Sequence, residues 1–429
     1  SGGAGSPAAI TPSGDRRYSV AALWSMAAEN DVEVDDELTK AQRRLRELKT
    51  RISAQSKKNF LLERDQQEVV STLEDVDSGE GTFPDDRKRQ LYGNLFFLLQ
   101  SEPRHIAALA RLVTLSEIDT LLQTVMFTIY GNQYDSREEY LLLSMFQNVL
   151  AAQFDSATEF GSLLRANTPV SRMMTTYTRR GPGQTYLKNV LSERINNLIE
   201  HNDLDLEINP LKVYEQMIKD IEAETGAPCD LPSAISPEEA SLNPDVQAII
   251  APRLSTLMEI TGSFLSTITG SLDQVPYGIR WICKQIRSLT KRKYPEASEF
   301  NICSLIGGFF FLRFVNPAIV TPQAYMLVEN NPQSNPRRTL TLVAKLLQNL
   351  ANKPTYSKER YMLTLNPFVE DNKARINKFL NDLCEVGDFY EALEMDQYVA
   401  LSKKELSLNI FVNEMYNTHS LLNQHRDVL

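Results

Sequence analysis

From Arg87 onward the apolar residues of this chain recur at helical spacing and almost never alternate. Leu121, Val125 and Ile129 lie four apart, and Tyr140, Leu143, Phe146, Val149 and Leu150 follow in the same manner. A period near 3.6 draws an apolar stripe along a helix, whereas a half-buried strand needs a period of two. No Asn-Gly turn joins two alternating runs, so Pro and Gly punctuate helices rather than close hairpins. The pattern predicts an all-α fold whose elements are long enough to pack as a large bundle. No internal repeat is evident, which sets a solenoid aside.

Composition narrows the function classes. Of 429 residues, 42% are hydrophobic and 23% charged, too apolar a mixture for a mainly disordered chain. The net charge of −10 argues against nonspecific nucleic-acid binding, while leaving room for a local basic face. Cys229, Cys283, Cys303 and Cys384 form no C-x-x-C pair, so neither a disulfide framework nor a structural zinc site is readable and a reducing compartment is expected. His105, His201, His419 and His425 form no ligand pair, so no metal is expected. The most apolar run, Ile302 to Val320, is interrupted by Arg313, Asn316 and Pro317 and reads as too broken to cross a bilayer. Ser1 to Ser13 lacks the charged start and apolar centre of a signal peptide. A cytoplasmic protein is expected, and the small N-terminal residues and charged C-terminus read as cut edges with further domains beyond them.

Four regions are expected. Residues 1–33 read as a disordered tail. Residues 34–85 hold an amphipathic, coiled-coil-like helix in which Leu38, Leu45, Leu48 and Ile52 recur among Lys, Arg and Glu. Its heptad does not persist, so packing onto its own domain is expected rather than a long rod, and Asp77 to Pro84 breaks it. Residues 86–370 form the main helical domain. Residues 371–429 form a helical extension that joins the N-terminal segment in a supporting subdomain. Thr225 to Pro244, rich in Pro, Ser, Ala and Glu, reads as a surface connection.

No nucleophile elbow, Walker loop or dinucleotide fingerprint is present. Gly307-Gly308 lies inside an apolar helix without the Lys-Ser/Thr of a phosphate loop and reads as a close packing point. Glu138 and Glu139 are adjacent, so on a helix they diverge and do not share acid–base work. A complete active site is not expected.

Three stretches remain. In Leu163-Leu164-Arg165-Ala166-Asn167-Thr168-Pro169, Thr168 suits an N-cap and Pro169 the first helical position. Arg165 then lies in a short loop held at both ends; taken alone it reads as a solvated arginine. In Gly307 to Pro322 a single cation, Arg313, sits in an apolar helix ended by Asn316-Pro317, and its guanidinium needs acceptors such as the carbonyls of a neighbouring loop. In Gln348-Asn349-Leu350-Ala351-Asn352-Lys353, Gln348 and Asn352 are four apart and on a helix would share a face.

Together these stretches resemble the Ras GTPase-activating domain family. Phe311-Leu312-Arg313 with Asn316-Pro317-Ala318-Ile319 is similar to its most specific signature. Leu164-Arg165-Ala166-Asn167-Thr168 resembles its arginine-finger loop, and Gln348 to Asn352 a third block, over roughly Leu91 to Phe379. Tyr92 to Gln100, Arg137 to Leu143, Val275 to Arg280 and Asn417-Thr418-His419 resemble the IQGAP branch. IQGAP scaffolds lack the finger arginine and bind Rac or Cdc42 without accelerating hydrolysis. This chain keeps Arg165 and is therefore similar to fungal and slime-mould GapA-type activators.

The resemblance implies a protein that accelerates GTP hydrolysis on a GTP-loaded Ras-family GTPase, with the non-catalytic Rac or Cdc42 module as the alternative. Arg165 is then the catalytic finger, supported by Arg313 and Thr168. Gln348, Asn352 and Lys358 position the loop or meet the partner, although the spacing to Lys358 is about one residue shorter than the family pattern. The basic run Lys284, Arg287, Lys291, Arg292 and Lys293 is either a solvated face or a steering surface for an acidic partner. The chain needs no cofactor of its own, since GTP and Mg²⁺ belong to the partner. The partner's lipid anchor implies transient recruitment to the plasma membrane or cortex. Nucleic acid is not an expected partner.

Overall fold

The computed structural model describes residues 36–48, 51–52, 54–55, 85–132, 135–160, 163–164, 167–352, 359–392 and 408–429. The chain divides into two units, Ser1–Arg51 and Ile52–Leu429. In the first, residues 36–48 are helical, with Lys40 and Asp36 paired at 2.7 Å one turn apart and Leu38, Leu45 and Leu48 exposed. The expected N-terminal tail, the region from 56 to 76 and the breaker Asp77 to Pro84 lie outside the described residues.

The regular structure in the described part of the second unit is all helical, with no strand among its residues. Its helices are α1 (Asp86–Ser101), α2 (Pro103–Leu112), α3 (Leu115–Thr124), α4 (Ser136–Ser156), α5 (Pro169–Thr178), α6 (Gly181–Ile199), α7 (Pro210–Thr225) and α8 (Pro237–Leu242), followed by α9 (Pro244–Thr269), α10 (Tyr277–Lys293), α11 (Glu299–Gly307), α12 (Asn316–Val320), α13 (Ser334–Ala351), α14 (Asn366–Leu383), α15 (Phe389–Ala392) and α16 (Val412–Gln424). Pro stands in the first turn of many of them, where its missing N–H costs nothing. Gly226, with φ of +67°, ends α7 in the left-handed conformation that glycine tolerates best.

The region Thr225 to Pro244 is more ordered than a plain connection. It contains α8, opened by a capping box in which Ser236 Oγ accepts from Glu239 N and the Glu239 carboxylate accepts from Ser236 N. The Ser-Pro-Glu-Glu signal was in the sequence, but composition masked it.

Residues Glu299–Val320 run as one 22-residue helical stretch. Its middle, Gly308–Val315, is wound as a π-helix between α11 and α12. The sequence predicts an end at Asn316-Pro317, whereas helix continues to Val320. Proline normally breaks a helix because it lacks a donor and its ring meets the carbonyl four residues back; a preceding π-wound turn has already shifted that ladder. Contrary to the expected interruption, the stretch is long and apolar enough to cross a bilayer, but 78% of its most apolar window is buried in the bundle. Phe309, Phe310, Phe311 and Phe314 form the middle of the core, and Phe310 makes edge-on contacts with Tyr186, Phe314 and Phe379. α5, α11, α12 and α13 pack around this segment.

Gly307 is the close packing point expected from the sequence. A Cβ there would lie 2.9 Å from Ala351 Cβ, 3.0 Å from Ala351 O and 3.3 Å from Leu380 Cδ1. Gly307→Val is expected to destabilise the domain by about 1–3 kcal/mol through overpacking. Denaturant unfolding of the variant reads this directly, and an unchanged midpoint would contradict the tight contact.

α16 returns to the helices that follow residue 85. Thr128 Oγ1 donates to Glu414 on α16 at 2.9 Å, and Tyr92 Oη on α1 lies 2.8 Å from His419 Nδ1. α1, the π-wound segment Val125–Ile129 after α3 and α16 are thus joined, while residues 56–84 of the segment expected in the supporting subdomain lie outside the described residues. α14 belongs to the main core, packing on α11 and α13, and it runs unbroken through residue 370, where the sequence predicts a boundary. Asn366-Pro367 opens that helix rather than closing a domain.

Candidate functional site

The site is built where the Gly308–Val315 segment passes the start of α5. Thr168 caps α5, its Oγ1 accepting from Ser171 N at 3.2 Å while its own N–H donates to Ser171 Oγ at 2.9 Å. Leu163 and Leu164 are buried, so the chain is anchored just before the cap as well as at it. Arg313 Nη2 donates to the Leu164 carbonyl at 3.3 Å. The cation that the sequence required to find acceptors has thus found the backbone of that loop, immediately before Arg165. Burial, and then the nearby charge of Arg172, lower the Arg313 pKa from its ordinary value. Arg165 and Lys358 lie outside the described residues.

Arg172, in the first turn of α5, turns its Nε to Asn167 Oδ1 at 2.8 Å and its Nη1 to Asp119 Oδ2 of α3, also at 2.8 Å. The sequence offered no signal for this group, since Asp119 stands 53 residues from Arg172.

Of Gln348 and Asn352, only Gln348 lies on the helix. α13 ends at Ala351, and Asn352 leaves it with extended backbone. Gln348 Oε1 accepts from Asn316 Nδ2 at 3.0 Å, whereas Asn352 Oδ1 accepts from Ser304 Oγ at 3.0 Å. Asn352 is buried. Both amides therefore tie the end of α13 to the helical stretch that carries Arg313.

The basic run of α10 is occupied within the protein. Lys284 Nζ donates to Val386 O at 2.6 Å, and Arg287 pairs with Glu385 at 2.6 Å. Arg280 reaches the carbonyls of Asp382 and Glu385 at 2.9 Å each. These cations cap the C-terminal end of α14, where carbonyls lack helical partners and the helix dipole is negative. Lys293 does the same for α4, donating to the carbonyls of Phe154, Asp155 and Ala157. Lys291 and Arg292 are more exposed, paired with Glu299 and Asp155 at 3.5 and 3.4 Å. A run of Lys and Arg read in one dimension looks like a free basic face; three of its members here close helix ends.

The two acidic neighbours diverge as expected. Glu138 accepts from Asn132 N at 3.0 Å, and burial pushes its carboxyl up to about 7. Glu139 receives Arg180 Nη1 at 2.8 Å and the Tyr177 hydroxyl. Arg180 Nη2 also donates to Tyr130 O at 2.7 Å. Gly278 lies against this cluster, where a Cβ would fall 1.7 Å from Tyr177 Oη. The stretches Arg137 to Leu143 and Val275 to Arg280, separate in sequence, therefore meet around one buried ion pair. Among the described residues no group of His, Cys, Asp and Glu is arranged to hold a metal ion.

The chain matches known proteins in the same region. The family model described as GTPase-activator protein for Ras-like GTPase matches residues 145–352. The Ras GTPase-activating-like protein gapA of Dictyostelium discoideum is 34% identical over 373 residues, which are 85% of this chain and 43% of that protein. The Ras GTPase-activating-like protein rgaA of the same organism is 35% identical over 80% of this chain and 42% of its own length. The human Ras GTPase-activating-like protein IQGAP3 is 32% identical over 80% of this chain and 22% of its own length. The chain thus spans less than half the length of these relatives. Both the signature residues and the likeness to these proteins lead to one assignment: the chain belongs to the Ras GTPase-activating domain family, in its IQGAP-like branch.

Proposed function

We propose that this protein accelerates GTP hydrolysis on a GTP-loaded Ras-type small GTPase, with Arg165 supplied in trans. The observation that carries the reading is the hydrogen bond from Arg313 to the carbonyl of Leu164, next to Arg165. A buried-edge cation spent on that backbone makes sense where the following side chain must be aimed.

A GTPase of this type already holds the phosphates, Mg²⁺ and the attacking water; it lacks a cation where charge develops on the transferring phosphoryl group. Arginine fits because its planar guanidinium stays protonated and offers several donors to phosphate oxygens. In this reading Thr168 and Arg313 hold the loop, and Gln348 and Asn352 hold the helix end beside it. Lys358, Lys291 and Arg292 are left as partner contacts, with Lys284 and Arg287 engaged at the end of α14. The protein acts in the cytoplasm and meets its partner at the membrane that anchors it. It contributes one residue to the partner's site and needs no cofactor of its own.

Arg313→Ala is expected to lower the acceleration by roughly 10²-fold through misplacement of the loop, and to lower stability by about 1.5–3 kcal/mol through loss of a charged hydrogen bond. Single-turnover hydrolysis and thermal melting check the two effects; normal values of both would remove Arg313 from the loop's support.

A second reading has its own support, since the human IQGAP3 relative is nearly as similar as the two Dictyostelium proteins. In it the domain binds GTP-loaded Rac or Cdc42 without turnover. Affinity measurements on Ras, Rac and Cdc42, each loaded with GDP or a non-hydrolysable GTP analogue, separate them. The activator reading expects selection of GTP-loaded Ras. Selection of Rac or Cdc42 alone would favour the scaffold.

A further inference from the structure

We infer that Arg172 is a positioning residue for the Arg165 loop, acting through the side chain of Asn167 and itself oriented by Asp119. The inference rests on the activator reading and adds residues to it. Arg313 fixes the chain at the Leu164 carbonyl, before Arg165. Arg172 fixes it at Asn167, after Arg165, by a 2.8 Å bond from Nε. Only residues 165 and 166 lie between the two anchors, and each residue spans at most roughly 3.6 Å of chain.

The guanidinium is well suited to the task because it is a rigid planar fork. Its Nη1 pairs with Asp119 at 2.8 Å, from a different helix, and this fixes the plane of the fork. Its Nε then points back along its own chain to Asn167. A simple brace between α3 and α5 would need the Asp119 pair alone. Asn167 is exposed, and a hydrogen bond to an exposed amide contributes little stability, so its consequence is mainly geometric. Asp119 has a second effect: it offsets the positive charge that Arg172 places near Arg313. Two arginines can then work side by side around one loop.

The test uses the full chain and GTP-loaded Ras in single-turnover hydrolysis at saturating activator, with binding affinity and melting temperature measured in parallel. Arg172→Ala is expected to lower the saturated rate roughly 10- to 100-fold, with affinity and melting unchanged. Arg172→Lys should recover at most part of the rate, because an ammonium has donors for Asn167 and Asp119 but lacks the rigid planar fork that fixes their directions. Asn167→Ala, at an exposed position that folding does not depend on, should reproduce the loss, and combining it with Arg172→Ala should add nothing further. If both single variants keep the wild-type rate while Arg165→Ala loses the acceleration, this assignment is overturned and the activator reading stands. A loss in Arg172→Ala that tracks a fall in melting temperature, with Asn167→Ala normal, would make Arg172 a brace and overturn it too. A wild-type chain that accelerates no GTPase overturns the activator reading and this assignment with it.

Discussion

Arg165→Ala is expected to remove about 10³–10⁵ of the acceleration of GTP hydrolysis, or roughly 4–7 kcal/mol of barrier; the magnitude is that of an arginine supplied in trans to Ras, carried over from that system rather than derived from this fold. The loss is large because the described arginines that bond to either side of the loop are already engaged. Arg313 is turned to the Leu164 carbonyl and Arg172 to Asn167 and Asp119, so both neighbouring cations already have partners. Lysine at 165 should recover only part of the rate, since it brings a charge without the planar fork. Binding of GTP-loaded Ras should weaken but remain detectable, because an interaction made only in the transition state lowers the saturated rate more than the affinity. Melting should not change, since Leu163, Leu164 and the Thr168 cap carry the packing on either side. Near-wild-type turnover by Arg165→Ala would remove the residue from catalysis.

The largest effect on stability is expected at Arg180. Its side chain is 4% exposed, paired with Glu139 at 2.8 Å and bonded to the Tyr130 carbonyl. Arg180→Ala leaves the Glu139 carboxylate buried without its cation, a change that costs about 3–5 kcal/mol. Such a loss takes up a large part of the 5–15 kcal/mol that holds a typical domain together. Arg180→Ala with Glu139→Gln should be less damaging than Arg180→Ala alone, because no buried charge then remains, and the Tyr177 hydroxyl can still donate to the amide oxygen. Denaturant unfolding of the two variants gives the comparison; equal stability would show that the pair is too well solvated to matter.

Much of the fold was legible because its signal is local. Helical spacing from Leu121 to Leu150, the Thr168-Pro169 start and the Gly307 packing point depend on residues close in sequence, and each appears as read. What escaped is non-local. The basic run of α10 looked like an open face because the carbonyls it caps, at Val386 and Phe154, stand about a hundred residues away or more. A spacing of four puts Gln348 and Asn352 on one face only while the helix lasts; α13 ends at Ala351, and Asn352 leaves it and turns to Ser304. The end predicted at Asn316-Pro317 failed for a different reason. Sequence rules for proline assume an α-helical ladder, and the turns before Pro317 are π-wound. Of the site itself, Arg313 was legible from its cost, since a cation in an apolar helix must find acceptors. Arg172 was not, as an arginine in a helix's first turn says nothing until Asp119 is beside it.

The central claim is catalysis rather than binding. Single-turnover hydrolysis by GTP-loaded Ras, with Rac and Cdc42 in parallel, at rising concentrations of the wild-type chain tests it most directly. The account predicts a saturable acceleration on Ras, of the 10³–10⁵ order expected for an arginine in trans. Saturable binding to any of the three with no change in hydrolysis would contradict it, and would make the domain a partner-binding module in which Arg165 has no chemical role.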